Sequence, residues 1–504
     1  MNGLAMHLPI LPVLLPLVAG IVLLALRNAP LALQRGLSLA ATAALVPLAF
    51  ALLAGAADGT QLVYKLGNWD APFGIVLVAD RLAAWMLMAT ALVALFALLH
   101  ALRGSDTQGR HFHVLYQLQL FGLNGAFLTG DLFNLFVFFE ILLLASYGLL
   151  LHGGGRLRVK AGLHFVVINL AGSTLFLFAV GTLYGVAGTL NMADLAVKLA
   201  RTPPGNLALV ETAGLLLFGV FALKAALLPL HLWLPAAYAH TSAPVAALFA
   251  IMTKVGAYSI LRVTSLMFGA DAGALANLLA GWLMPLALAT LVAGMLGALA
   301  STALRQQIAY LTIASVGTLL AAFALGSVDG IAAGLYYLPH TTFATAALFL
   351  LAEPIARARG ACADRFEPGP AMPGAAVLGG LFFVAAMAMA GLPPLSGFLG
   401  KFMLLRAALE SPWLIWMWGA VLAAGLAGVI ALARSGSLLF YRTQSSAEVL
   451  PVPRAADWLP AGALLLLLAG MVVWADPLAR YATATAAQLL APQAYIDAVL
   501  GARP

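Results

Sequence analysis

The chain has 504 residues, 63% of them hydrophobic and 9% charged, with a net charge of +7. A soluble domain carries about 25% charged residues, so this chain has too few to clothe its core in water, and a soluble enzyme is excluded. Its basic residues are spread over short connections without a stripe or cluster, a pattern of membrane topology that implies no nucleic-acid partner.

Charged and Pro/Gly-rich breaks divide the sequence into about fourteen apolar segments of the length, about 20 residues, that crosses a hydrocarbon layer. They lie near 8–26, 37–55, 82–102, 113–130, 132–152, 162–186, 208–230, 243–266, 274–299, 303–326, 328–352, 374–394, 413–434 and 458–475. Each is expected to be helical, because an unpaired backbone in lipid is too costly otherwise. The fold class is therefore an all-α polytopic membrane protein. The first segment has no basic residues before it and reads as a retained span.

Between spans two and three, the alternating QLVYKLGNW and GIVLVAD of residues 56–80 predict a hairpin outside the membrane. Residues 189–204 and 476–500 read as amphipathic surface helices, the first with Asp194, Lys198 and Arg201 on its wet side. Residues 354–373, rich in Arg, Pro and Gly, read as a polar linker that carries the single cysteine, Cys362. One cysteine and scattered histidines leave no metal-ligand spacing, no phosphate loop follows a strand, and no cofactor is implied.

Counted by connection and adjoining span end, fourteen of the 25 Lys and Arg residues fall with the odd-numbered connections, and eight, Arg262 and Arg503 among them, with the even-numbered ones and the tails. Basic residues favour the cytoplasm, so both termini are expected to face outward.

A charge at mid-membrane costs about 2.5–3.5 kcal/mol even on a lenient scale. Glu140 in LFNLFVFFEILLLASYGLL, Lys224 in LLLFGVFALKAALLPLHLWLP, Lys254 in ALFAIMTKVGAYSILRV and Lys401 in AGLPPLSGFLGKFMLL all carry it. Two readings are open. In one, Glu140 and Lys224 form a structural ion pair while Lys254 and Lys401 cap carbonyls at helix breaks. In the other they form a relay, since a lysine disfavoured as a cation by burial and favoured by a nearby carboxylate can take up and pass a proton. His340, beside Pro339, is a further candidate because imidazole titrates near neutral pH, with His231 and His240 behind it. Ser173, Tyr258, Ser315, Thr342 and Thr345 either hold water between the charges or bond their own helices.

Pro229 and Pro235 interrupt span seven after Lys224, and Pro393, Pro394 and Gly397 interrupt span twelve before Lys401. Breaks five spans apart predict two inverted five-helix repeats, spans 4–8 and 9–13, with ion sites at the breaks. The expected domains are residues 1–111 (spans one to three and the hairpin), 112–270 (first repeat), 271–440 (second repeat) and 441–504 (span fourteen and an amphipathic tail).

The segments LFNLFVFFEILLLASYGLL, FGVFALKAALLPLHLWLPAAYAHTSAPVAALFAIMTKVGAYSILR, LRQQIAYLTIASVG and AGLPPLSGFLGKF resemble the family shared by complex I antiporter-like subunits and Mrp-type (Pha, Mnh) cation/proton antiporters, D subunits above all. The resemblance spans about residues 70–440. It implies a buried axis for proton movement in which Glu140, Lys224, Lys254, His340 and Lys401 match the family's relay positions, with Thr345 where several relatives have lysine. It implies a secondary transporter subunit, not an enzyme by itself, that works in a bacterial inner membrane and serves pH homeostasis. Its implied partners are antiporter subunits of the A, B, C, E, F and G types, membrane lipid, protons and monovalent cations. The M-type complex I subunit has glutamate where Lys401 stands, and the lateral helix of the L-type is not expected in a chain ending at Pro504. An N-type complex I subunit or a hydrogenase membrane subunit remains the alternative.

Overall fold

The computed structural model describes residues 7–444 and 450–501. Arg503 and the outermost parts of the expected first and last domains lie outside these residues. In chain order the elements are α1 (Leu11–Ala25), α2 (Leu31–Gly55), β1 (Leu62–Lys65), β2 (Val76–Ala79), α3 (Arg81–Ala101), α4 (Phe112–Leu128), α5 (Leu132–Leu151) and α6 (Arg156–Ala187). Then come α7 (Met192–Leu199), α8 (Leu207–Ala225), α9 (Trp233–His240), α10 (Ala243–Phe249), α11 (Met252–Met267), α12 (Ala280–Ala300), α13 (Leu304–Ala324) and α14 (Val328–Ala358). The last are α15 (Ala375–Ala390), α16 (Ser396–Ala407), α17 (Leu414–Gly436), α18 (Ala455–Val473), α19 (Ala475–Leu490) and α20 (Gln493–Leu500).

Among the described residues, twelve helical stretches are long and apolar enough to cross a membrane. Two of the fourteen expected spans fall short of that measure: α4, with 17 residues, and the broken pair α15 and α16, with 16 and 12. A helix apolar all round belongs in the interior, and α14 takes that place, packing against α3, α10, α13, α15, α16, α18 and α19. The stretch α10–α11 is equally enclosed, whereas α17 and α18 turn most of their surface outward.

The predicted hairpin forms, β1 pairing antiparallel with β2 from Leu62–Ala79 to Lys65–Val76. Even-numbered connections meet one another at its face: Leu77 bridges Thr129 and Asp131 bridges Asn191. The odd-numbered ones meet at the opposite end, where Arg35 pairs with Asp106 at 2.6 Å, Arg103 with Asp457 at 3.2 Å, and Ala303 bridges Arg365. Spans that alternate in direction produce this sorting. Both described chain ends lie on the hairpin face, His7 against Tyr64 and Tyr495 against Arg262.

Three expectations need correction. Asp194 is not on a wet face: its side chain is buried and bonds Lys198 at 3.0 Å, because α20 packs over α7, while Lys198 and Arg201 stay exposed. The linker begins later than residue 354, since Pro354 lies inside α14 and the helix continues to Ala358. Arg262, counted at the end of its span among the topology charges, is buried in α11, where its guanidinium donates to both oxygens of Asp80 at 2.6 and 2.7 Å.

Candidate functional site

Three helix interruptions organise the interior, and at each a carbonyl freed from its helical bond is taken by a side chain, as an apolar medium demands. At the end of α8, Ala226 adopts a left-handed conformation and the indole of Trp233 donates to the Leu223 carbonyl at 3.0 Å. Between α10 and α11 the chain tightens at Ala250 and Ile251, and the Tyr238 hydroxyl donates to the Phe249 carbonyl at 2.7 Å. Between α15 and α16, the Lys401 ammonium donates to the Ala390 carbonyl at 2.7 Å. The first and third breaks fall where the prolines predict. The second does not: Lys254 sits in the first turn after an interruption that carries neither proline nor glycine.

The lysines differ in their surroundings. Lys224 is buried and donates to Asn169 Oδ1 at 3.1 Å. Glu140, partly exposed on α5, accepts a hydrogen bond from Ser173. No direct ion pair joins Glu140 to Lys224 among the described residues; instead each bonds a residue of α6, Ser173 and Asn169 respectively, which stand one turn apart, where i and i+4 share a face. Lys254 is fully buried and its Nζ has no hydrogen-bond partner among the described residues. Carbonyl capping at a break thus describes Lys401 but not Lys254.

His340, on α14, shares a 2.9 Å hydrogen bond between its Nδ1 and the Ser396 hydroxyl at the start of α16, and both Lys401 and Lys254 lie within electrostatic reach. The hydroxyl of Thr345, on the same helix, is buried with no hydrogen-bond partner among the described residues, whereas Thr342 bonds its own helix at Leu338. Cavities of about 20 Å³ adjoin Lys224 and Lys401, the latter lined also by Ser315 and Thr318. Each has room for a single water molecule. The structure therefore brings His340, Lys254 and Lys401 together through α14, and Glu140 and Lys224 together through α6. His231 and His240 lie outside both groups near the ends of α9, His231 half-buried and His240 exposed.

Two close approaches keep these breaks in place. A Cβ on Gly256 of α11 would stand 2.3 Å from the Ala225 nitrogen, and one on Gly397 would stand 2.7 Å from His340 Nε2. Gly256→Ala is expected to destabilise the protein by about 1–3 kcal/mol through overpacking against the α8 break. Its thermal midpoint in detergent should fall below that of Gly219→Ala, where nothing lies within 4 Å of the added carbon.

Sequence reasoning missed several polar groups. Asn169 announces itself only as a lone amide in HFVVINLAGSTLF. Glu353, near the basic-rich end of α14, bonds His100 of α3 at 3.1 Å and pairs with Arg357. Asp131 caps α5 by accepting from the Asn134 N–H at 2.8 Å, and burial pushes its carboxyl up to about 6 against the hydrogen bonds from the backbone.

Residues 129–427 match the family described as NADH:quinone oxidoreductase/Mrp antiporter, TM. The chain is 45% identical to the D subunit of a probable K(+)/H(+) antiporter of Rhizobium meliloti, covering 98% of each. To the D subunit of the Na(+)/H(+) antiporter of Bacillus subtilis it is 37% identical over 97% of this chain and 99% of that one. A 37% match to the N subunit of the NADH-quinone oxidoreductase of Desulforudis audaxviator covers 82% and 83%. Among solved structures, a chain of the Mrp complex from Dietzia sp. DQ12-45-1b superposes with a TM-score of 0.87 at 29% identity, over 99% of this chain and 100% of that one.

Proposed function

The chain belongs to the NADH:quinone oxidoreductase/Mrp antiporter family, and on that premise we propose that it is the proton-translocating D-type subunit of a multisubunit sodium or potassium/proton antiporter. The observation that carries the reading is a set of costly polar groups gathered along the helix breaks: Lys224, Lys254 and Lys401 at the breaks, His340 on α14 bonded to the first residue of α16, and Glu140 near Lys224. A buried amine with no hydrogen-bond partner among the described residues, as at Lys254, stabilises nothing that leucine would not stabilise better. It persists where a proton has to pause.

In this reading protons pass between Glu140 and Lys224 on one side and Lys254, His340 and Lys401 on the other, with Thr345 and its neighbours holding water between them. Spans 4–8 and 9–13 form two inverted repeats within a fourteen-span chain, divided at residues 111, 270 and 440. The chain sits in the bacterial inner membrane with both termini outward, beside antiporter subunits of the A, B, C, E, F and G types. End-to-end similarity to antiporter D subunits supports this assignment over the redox-pump alternative, whose matching relative aligns over a smaller share of the chain.

Purification of the intact assembly from its native membrane separates the two. The antiporter reading expects no flavin or iron–sulfur absorbance, and expects sodium or potassium to dissipate a preformed proton gradient in inverted vesicles. Redox-centre absorbance co-purifying in stoichiometric amount, with no cation response, would instead establish the complex I-type subunit.

A further inference from the structure

The partner of Lys224 is an amide rather than a carboxylate. Asn169 lies almost fully buried on α6, its Nδ2 donating to the Phe165 carbonyl at 2.8 Å one turn back. That bond orients the amide so that Oδ1 faces Lys224, from which it accepts at 3.1 Å. Around the ammonium, α5 presents Phe139, Leu142 and Leu143, α9 presents Trp233, and α11 presents Met252 and Val255. Glu140 of α5 is the charged group within electrostatic reach among the described residues.

In the other half of the chain, His340 occupies a similar place. It stands on the helix before the broken span, beside Lys401. Each broken-span lysine thus has one polar side chain from the preceding long helix next to it, Asn169 from α6 and His340 from α14.

We propose that Asn169 is a positioning residue for the proton step at Lys224: its oxygen holds the ammonium at the small cavity and away from Glu140. A direct Glu–Lys pair in an apolar interior would keep the proton on the amine, because separating the charges there is costly. A neutral acceptor holds the ammonium less firmly, and an amide cannot itself take the proton. Glu140 then acts on Lys224 through its field, so its own protonation alters how readily the amine lets go.

This rests on the proton-relay reading above, and the experiment separates the two. Transport is measured against pH in vesicles carrying the full assembly with Asn169→Asp, Asn169→Leu or Lys224→Ala, each checked for its amount in the membrane. Asn169→Asp adds a carboxylate of the same size and favours the charged amine, so the alkaline limb of the transport curve should move up by about 1–3 pH units. Asn169→Leu removes the acceptor, and the limb should move down by about one unit. A residue that merely packs would not shift the limb in opposite directions with two side chains of similar size.

Full transport in Lys224→Ala would overturn the relay reading itself. Loss of transport in Lys224→Ala together with a parental limb in Asn169→Asp would overturn the role of Asn169 alone. Asn169→Asp inactive at every pH is what a carboxylate that keeps the proton on the amine would produce, and the limb in Asn169→Leu then decides; both variants inactive throughout counts against the role. If Asn169→Leu is inactive throughout, the limb in Asn169→Asp decides.

Discussion

Lys224→Ala and Glu140→Ala are each expected to reduce cation-dependent proton movement to the background of vesicles lacking the assembly, with the protein still present in the membrane. The expectation of complete loss follows from placement. Lys224 lies buried at the end of α8, and it and Asn169 are the polar side chains lining its cavity. No other amine among the described residues lines that cavity, so none stands ready to replace it. Removing it should not unfold the chain, because Lys224 donates one hydrogen bond and its alanine variant leaves no charge stranded in the interior. Glu140 is different in kind: its carboxylate bonds Ser173 and reaches Lys224 only through its field. If both variants moved protons at the parental rate in cation-jump experiments, the relay would have to run elsewhere.

The second large effect concerns stability. Asp80→Asn should destabilise the protein by about 3–5 kcal/mol, the usual result of stripping one partner from a buried ion pair. Arg262 grips both oxygens of Asp80, and its guanidinium lies over the rings of Tyr258 and Tyr495 at 5.5 and 5.3 Å. The group is buried, so the lone arginine would have no water to turn to. Asparagine still accepts from the Ala83 N–H at the start of α3, so the loss measures charge rather than capping. The thermal midpoint of the purified protein reads it, and Asp80→Leu combined with Arg262→Met should recover much of the loss. An unchanged midpoint for Asp80→Asn would show that the pair is not the clamp its geometry implies.

These two sites were unequally legible. Glu140 and Lys224 stand out in the sequence because charges inside apolar runs are rare, and the prolines at 229, 235, 393 and 394 mark two of the breaks. Arg262 lies one turn from the end of its span, and on linear grounds it reads as a topology charge at that span end. Only the folded chain brings it against Asp80, 182 residues away. The interruption before Lys254 left no mark in composition, because a helix tightened at Ala250 and Ile251 needs no special residue when the Tyr238 hydroxyl takes up the freed Phe249 carbonyl.

Composition, apolar run length and residue alternation were enough to determine the membrane class, the approximate spans, the hairpin within 56–80 and the charges at mid-span, Glu140, Lys224, Lys254 and Lys401, but not the buried Asp80, Asp131, Arg262 and Glu353. Those properties follow from transfer free energies, which each segment incurs by itself in oil or water. What each charge bonds was decided by the tertiary structure: an amide 55 residues distant for Lys224, a backbone carbonyl for Lys401, and for Lys254 no hydrogen-bond partner among the described residues. Partners are chosen through space by how helices cross and where they break, and hydropathy along a line carries no record of that choice.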